Sequence, residues 1–291
     1  MTQILDGKVV GQAIRKQARL DAEKLREVGV TPKLAILRVG EEEASKSYER
    51  NAIRAMKDAT IAVETFQLDE MSTTEEVVKM IDQLNHDQAI HGVIIMQPLP
   101  DGISRREISN YLDCKKDVDG INPLNLGFLI EENAAALVPS TPQAVIEMLD
   151  YYGLELAGKD VVVIGSSPVV GKPLSIMLGN RHATVSNLHI HTKDVRKYTK
   201  QADILISATG ALGLVDETYV KKGAVVIDVG YGYQNGKIMG DVQRDVIQEI
   251  ASAISPVPGG VGAVTTSVLA AQVIKAAKLQ TLEEAALKLN E

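Results

Sequence analysis

The sequence predicts an α/β protein of two domains, the second built on a doubly wound parallel sheet. Three observations carry that expectation. The chain has 291 residues, a length that suggests two domains of ordinary size. Short apolar runs such as KLAILRV, GVIIM, DVVVIG and DILISATG alternate with segments of helical period, and a strand that reads as a continuous apolar run is one buried on both faces. Several of these runs end in loops of small residues or prolines, namely GSSP, ATG, DVGYG and QPLPDG, as the ligand-bearing edge of an open α/β sheet requires.

Taken in order, apolar residues at Val10, Ile14, Leu20 and Leu25 predict a helix between Gly7 and Gly29, and a buried strand follows at 33–39. Glu41 to Lys57 reads as a polar helix and 62–69 as a strand. Thr73 with Glu76 forms a capping box that opens a helix running to about Asn85. GVIIM at 92–96 is another buried strand, ended by the prolines of QPLPDG, so Gln97 to Gly102 should be a loop at its carboxyl end. In PSTPQ, Thr141 is placed as the cap of a helix whose first residue is Pro142 and which runs to about Tyr152. Beyond it, strands at 160–165, 183–190, 203–210 and 224–230 alternate with helices, one of them opening at Gly171. An Ala-rich helix is expected over 265–278, with Thr281 and Glu284 capping one more, and these last helices are placed to return to the first domain. The boundaries that result are 1–140 with 272–291 for one domain and 141–271 for the other.

Composition narrows the function. Lys and Arg total 31 against 38 Asp and Glu, a net charge of -7 without a strongly basic stretch, so neither nucleic acid nor an anionic membrane is an expected partner. Small molecules are. The start, MTQILDGKVV, has no basic segment followed by an apolar one, and no apolar run is long enough to span a bilayer, which predicts a cytoplasmic protein. Cys114 is the single cysteine, which excludes an internal disulfide or a thiolate metal cluster and suits a reducing compartment. With no acidic cluster near His189 and His191, no metal site is expected.

The strongest local chemistry lies at 165–173, GSSPVVGKP. Gly165 and Gly171 bracket a turn between a strand and a helix, where glycine permits close approach and the helix N-terminus offers unpaired N–H groups to a phosphate. The pattern is not G-x-G-x-x-G, and on its own it fits a ligand-free turn equally well. The small-residue loops ATG at 208–210 and DVGYG at 228–232, on the carboxyl side of the same expected sheet, add room for a flat cofactor.

A series of motifs, in order SKSYERNAIRAM, HGVIIMQPLP, KDVDGINPLNLG, VPSTPQA, GKDVVVIGSSPVVGKP, ATVSNLHIHT, ADILISATG, GAVVIDVG and SPVPGGVGAVTT, resembles the methylenetetrahydrofolate dehydrogenase/cyclohydrolase family over essentially the whole chain. The resemblance implies an N-terminal α/β catalytic domain, a Rossmann-like cofactor domain, a tetrahydrofolate derivative as substrate and a homodimer. It also implies that Tyr48 stacks on the aminobenzoyl ring of folate and that Asp119 hydrogen-bonds the pterin, with Pro258, Gly262 and Thr265 lining the substrate site. Ala263 and Val264 replace the family's usual Pro and Met in that loop. For the dinucleotide it implies Gly165, Ser166, Ser167, Gly171, His189, Ile190, Thr209 and Tyr231. Without the motif context, Tyr48 reads as a half-buried helix residue and Asp119 as a turn former before Gly120.

Two departures decide what is expected of the chemistry. Bifunctional members carry a lysine one helical turn after the tyrosine, supported by a glutamine just before the LPLP loop; here these positions are Ala52 and Met96. Arg54 should face elsewhere on the helix, and Gln97 belongs to the opposite face of its strand from Met96. Water addition and proton movement call for a polar group of adjustable pKa such as lysine. Hydride transfer asks chiefly for proximity. The expectation is therefore a dehydrogenase with little or no cyclohydrolase activity, Lys57 and Gln97 being the alternative sources of water chemistry. The second departure is Ser166 and Ile190, where relatives resemble a clamp for the 2'-phosphate of NADP with Arg and Ser. NAD becomes the expected cofactor, with NADP held by His189, His191 and Lys193 as the alternative. The rival readings are a bifunctional NADP enzyme and a folate- or dinucleotide-binding protein that has lost catalysis. A hydroxy-acid dehydrogenase lacks its His-Arg-carboxylate constellation.

Overall fold

The computed structural model describes residues 2–234 and 236–288, the side chains of Ala44 and of residues 284–288 excepted. The chain forms two compact units. One joins Gln12–Ser140 to the residues from Thr266 onward; the other joins the residues up to Gly11 to Thr141–Thr265.

The unit containing Gln12–Ser140 is built on three parallel strands in the order Ala62–Leu68, Lys33–Val39, Gly92–Ile95. Successive residues of a strand point to opposite faces, and here both faces are covered. Leu34, Ile36 and Ile94 pack with Ala52 and Met56 of the helix Glu43–Asp58 and with Leu269 and Val273 of the C-terminal helix Thr265–Lys288. Ala35, Leu37, Val93 and Ile95 pack with Val77, Ile81 and Leu84 of the helix Thr74–His86. That two-sided burial is why Lys33–Val39 and Gly92–Ile95 read as apolar runs, whereas the edge strand Ala62–Leu68 carries exposed polar residues. The capping box closes as expected, the Glu76 amide donating to Thr73 Oγ1 at 3.3 Å and the Thr73 amide to Glu76 Oε2 at 2.9 Å.

Some expectations are corrected. Thr281 caps no new helix: the C-terminal helix runs on, and Thr281 Oγ1 donates to the Ala277 carbonyl one turn back at 2.7 Å, the competing use of a mid-helix threonine. The side chain of Glu284, its expected partner, lies outside the described residues. Thr141 is not a cap either, because the helix starts one residue earlier, at Ser140, and runs to Tyr151. Pro142 is then its third residue, where a missing N–H still costs no intrahelical bond. Two short helices, Arg105–Tyr111 and Pro123–Ile130, were not expected; they are too short for a period to show.

The other unit carries six parallel strands in the order Gln3–Ile4, Ala253–Ile254, Val225–Asp228, Ile204–Ser207, Asp160–Ile164, Thr184–Leu188. The chain winds outward in both directions from Asp160–Ile164, the doubly wound arrangement expected. The strands Gln3–Ile4, at one edge, and Ala253–Ile254, beside it, are only two residues long and went unseen in the sequence. They explain why the first residues cluster with this unit rather than with the segment up to 140: the Gln3 amide donates to the Ser252 carbonyl and the Leu5 amide to the Ile254 carbonyl, both at 2.9 Å. A small antiparallel hairpin, Gly232–Gln234 with Lys237–Met239, was likewise not anticipated.

Replacing Thr73 by Ala removes one half of the capping box and is expected to cost about 1 kcal/mol. The check is a lower urea midpoint with unchanged far-ultraviolet dichroism.

Candidate active site

Tyr48 and Asp119, far apart in sequence, belong to the same unit, and the charge of Asp119 acts on the Tyr48 phenol. Tyr48 stands on the helix Glu43–Asp58, on the stripe that continues through Ala52 and Met56 at one-turn intervals and packs on the apolar cluster below. Two contacts fix that helix: buried Ser45 Oγ donates to the Gln97 carbonyl at 2.8 Å, and Arg38 Nε donates to Glu49 Oε2 at 2.8 Å. Asp119 is presented by the segment from Asp117 to Asn122. Asp117 is fully buried there and accepts from the Ile121 amide at 3.1 Å, the Asn122 amide at 2.7 Å and Asn125 Nδ2 at 2.9 Å. Gly120 takes φ of 59°, and a Cβ on it would lie 2.6 Å from the Pro139 nitrogen, so glycine is required on both counts.

Burial first, then the charge of Asp117, pushes the Asp119 carboxyl up to about 7, while Arg105 and Ser140 act in the opposite direction. Burial likewise raises the Tyr48 phenol, with the charge of Asp119 adding to it. Tyr48 therefore stays neutral and offers a ring face and an O–H rather than a base. Both residues keep partial contact with solvent and are not sealed in the core. Arg105, Ser140 and Asp117 were missed in the sequence; only the doubled acid of KDVDG hinted at one of them, since Arg105 and Ser140 reach Asp119 through the fold.

Ala52 is fully buried and Met96 is 3% exposed, and both belong to the apolar cluster on which Tyr48 packs. The Met96 amide donates to the Leu37 carbonyl at 2.8 Å, which fixes its register beyond Ile95. Gln97, Arg54 and Lys57 are exposed.

The nucleotide candidates all belong to the other unit, at the carboxyl ends of its strands. Gly165 has φ of 117°, and a Cβ there would meet the Ala208 carbonyl oxygen at 2.3 Å; one on Gly171 would meet the Gly165 carbonyl oxygen at 1.9 Å. Backbone thus packs on backbone around the 165–171 turn. Ser167 Oγ accepts from the Val170 amide at 3.1 Å, and Asn187 Nδ2 donates to the Gly165 carbonyl at 2.8 Å. The helix Gly171–Asn180 has no side-chain cap at its start; the Lys172 amide donates to the Ser167 carbonyl at 3.1 Å and Pro173 has no N–H, which leaves the Gly171 amide of the first turn to offer to an anion. These features fit a dinucleotide pyrophosphate. Ser166 is half-buried; His189 is exposed and Ile190 is 93% exposed after the strand Thr184–Leu188. Tyr231 is 66% exposed after Val225–Asp228.

A pair of buried carboxylates holds this edge together. Asp241 Oδ2 accepts from Ser207 Oγ at 2.8 Å, the Thr209 amide at 2.7 Å and Thr209 Oγ1 at 2.8 Å. Asp228 accepts from the amides of Gly230, Asp241 and Val242 at 2.9–3.0 Å, and burial pushes its carboxyl up to about 6. Pro258, Gly262 and Thr265 lie in this same unit, not with Tyr48 and Asp119. Thr265 is buried, its Oγ1 donating to the Gly262 carbonyl at 3.3 Å, and Gly7 packs against the loop through its amide to the Gly259 carbonyl at 2.8 Å. Among the described residues no three His, Cys, Asp or Glu side chains gather as metal ligands, and no helix is long and apolar enough to cross a membrane.

Residues 5–119 match the family described as tetrahydrofolate dehydrogenase/cyclohydrolase, catalytic domain, and residues 139–281 match its NAD(P)-binding domain. The chain belongs to the tetrahydrofolate dehydrogenase/cyclohydrolase family. It is 42% identical over 280 residues to the bifunctional protein FolD of Desulforamulus reducens, covering 96% of this chain and 98% of that one. The crystal structure of the FolD methylenetetrahydrofolate dehydrogenase/cyclohydrolase of Campylobacter jejuni superposes with a TM-score of 0.94 at 38% identity, over 96% of this chain and 100% of that one. The Trypanosoma brucei family enzyme, complexed with NADP and an inhibitor, gives 0.91 at 33% identity, over 96% and 98%. Membership makes this chain an α/β enzyme with a catalytic domain followed by an NAD(P)-binding domain.

Two outcomes follow from this geometry. Asp241→Ala strips the acceptor from Thr209 and Ser207, and is expected to raise the nucleotide KM about tenfold with little change in the folate KM in steady-state assays. Asp119 has a folded pKa above its unfolded value of 3.8, so its ionisation costs stability as the pH rises from about 4 through about 7. Asp119→Asn should therefore melt higher than the parent at pH 8 and at the same temperature near pH 4.

Proposed function

We propose that this enzyme oxidises 5,10-methylenetetrahydrofolate to 5,10-methenyltetrahydrofolate by hydride transfer to NAD, with little or no cyclohydrolase action. The observation that carries the reading is the meeting of Ala52 and Met96 in one apolar cluster beside Tyr48. A methyl and a thioether stand where water addition would need a polar group able to take and give protons. Oxidation makes no such demand. As the bridge C–H electron pair leaves as hydride, the lone pair of the neighbouring nitrogen forms the C=N bond, and no water is activated. NAD supplies the hydride acceptor.

The residues of the chain hold and orient. The Tyr48 ring stacks on the aminobenzoyl ring, and ionised Asp119 accepts two parallel N–H bonds from the amino-pyrimidinone edge. Pro258, Gly262 and Thr265 contact the substrate, as the resemblance implies, while the 165–171 turn with Ser166, Ser167, His189, Ile190, Thr209 and Tyr231 takes the dinucleotide. Ser166 and Ile190 favour NAD, because a 2'-phosphate without its arginine forgoes a charge-assisted bond of about 1.5–3 kcal/mol. As the resemblance implies, the enzyme acts as a homodimer.

A second reading is favoured by relatedness: the Desulforamulus and Campylobacter relatives are named bifunctional, and the Trypanosoma structure holds NADP. On that ground an enzyme with both activities has the stronger support from relatives, whereas residues 52, 96, 166 and 190 support the single activity. The two separate in one assay. Reduction of NAD and of NADP with methylenetetrahydrofolate is compared with methenyltetrahydrofolate decay above its spontaneous rate. NAD-linked turnover without decay is the expected result; robust decay, or a lower KM for NADP, hands the function to the second reading. Joint Ala52→Lys and Met96→Gln substitution should bring hydrolysis up at least tenfold, and no gain would mean that these positions do not control it.

A further inference from the structure

The first peptide of the 165–171 turn is gripped from the neighbouring strand. Asn187, half-buried on the strand Thr184–Leu188 and in register with Val163, donates through Nδ2 to the Gly165 carbonyl at 2.8 Å and reaches the Val163 carbonyl at 3.5 Å. Both oxygens are acceptors, so the donor end of the amide is the one that faces the turn. The same Gly165 carbonyl packs so closely on the start of the helix Gly171–Asn180 that a Cβ on Gly171 would lie 1.9 Å from its oxygen.

The backbone of the sheet does not need this bond. The Gly165 amide is already paired with the Leu188 carbonyl, and the Ala208 amide with the Ile164 carbonyl, each at 2.8 Å. What the Asn187 side chain adds is the orientation of one peptide unit. Gly165 has φ of 117° and no side chain to restrict its rotation. In a planar trans peptide the oxygen and the next N–H point in opposite directions, so holding the Gly165 oxygen toward Asn187 turns the Ser166 N–H away from it. We propose that Asn187 is a positioning residue of the nucleotide site, clamping the Gly165 carbonyl so that the Ser166 amide is presented to the dinucleotide pyrophosphate. This rests on reading the 165–171 turn as the phosphate site and names the residue that orients it.

The residue type suits the task. Rotation of an unclamped peptide would replace the N–H by a carbonyl oxygen, whose partial negative charge repels a phosphate. Asparagine supplies the donor without adding charge. An ionised carboxylate of the same shape has no donor and would set a further negative charge beside the turn. The pyrophosphate is common to NAD and NADP, so the clamp serves either cofactor alike and is separate from the preference proposed for Ser166 and Ile190.

The test uses Asn187→Leu, of similar size and without a donor, and Asn187→Asp, both in the full chain. Affinities for NAD and NADP are measured by calorimetry, the KM for methylenetetrahydrofolate in steady state, and stability by thermal melting. For the Leu variant the Kd values of NAD and NADP are expected to rise together by about tenfold, with an unchanged folate KM and melting temperature. The Asp variant should bind NAD more weakly than the Leu variant at about pH 8 and recover toward the parent at about pH 5, where a protonated carboxyl regains an O–H donor. Unmoved nucleotide affinities, a loss confined to one of the two cofactors, or equal losses for both substrates with a lower melting temperature would overturn the proposal. A loss in the Asp variant that pH leaves unchanged would do the same. An NAD titration of the parent that left the isotope-labelled Ser166 and Gly171 amide signals unmoved would instead defeat the reading of the turn as the phosphate site, and the proposal with it.

Discussion

The segment that presents Asp119 depends on one buried carboxylate, that of Asp117. Asp117 accepts three N–H bonds from the residues that follow it, two from the backbone and one from Asn125, and so ties the 117–125 segment into a single rigid piece. Burial raises its pKa and those hydrogen bonds oppose the rise. Its neighbour Asp119 is held beside Tyr48 at an electrostatic cost, because two carboxylates and partial burial disfavour its charge. Such a cost is the usual mark of a group kept for binding rather than for stability.

The nucleotide side rests on close backbone packing instead. At Gly165 and Gly171 the chain approaches itself more tightly than any side chain permits. Gly230 and Gly240 play the same part around the acidic pair, since a Cβ on either would fall within 2.1 Å of a carboxylate oxygen of Asp241 or Asp228. With those atoms excluded, Asp241 reaches the Thr209 loop and Asp228 the turn after its own strand. The loops at the carboxyl edge are therefore set by buried acids rather than by contacts in solvent.

The chemistry divides along the same lines. Burial raises the Tyr48 phenol, and burial with the charge of Asp117 pushes the Asp119 carboxyl up to about 7. Positions 52 and 96 add only apolar bulk.

The sequence alone determined the two-domain α/β class, the parallel character of the second domain's sheet, the capping box at Thr73 and the glycine turn at 165–171, because each rests on a period or a local rule. Its motifs also singled out Tyr48, Asp119, Ala52 and Met96. Tertiary structure decided the remainder. The strands Gln3–Ile4 and Ala253–Ile254 exist through pairing, too short to leave a pattern, and the C-terminal helix packs through Ala277 in the cluster of the three-stranded sheet. Arg105 and Ser140 reach Asp119 from remote segments, and Asp241 holds Thr209 across the chain. Long-range contacts of this kind have no spacing in sequence, which is why the charge balance of the site could be read only once the chain was folded.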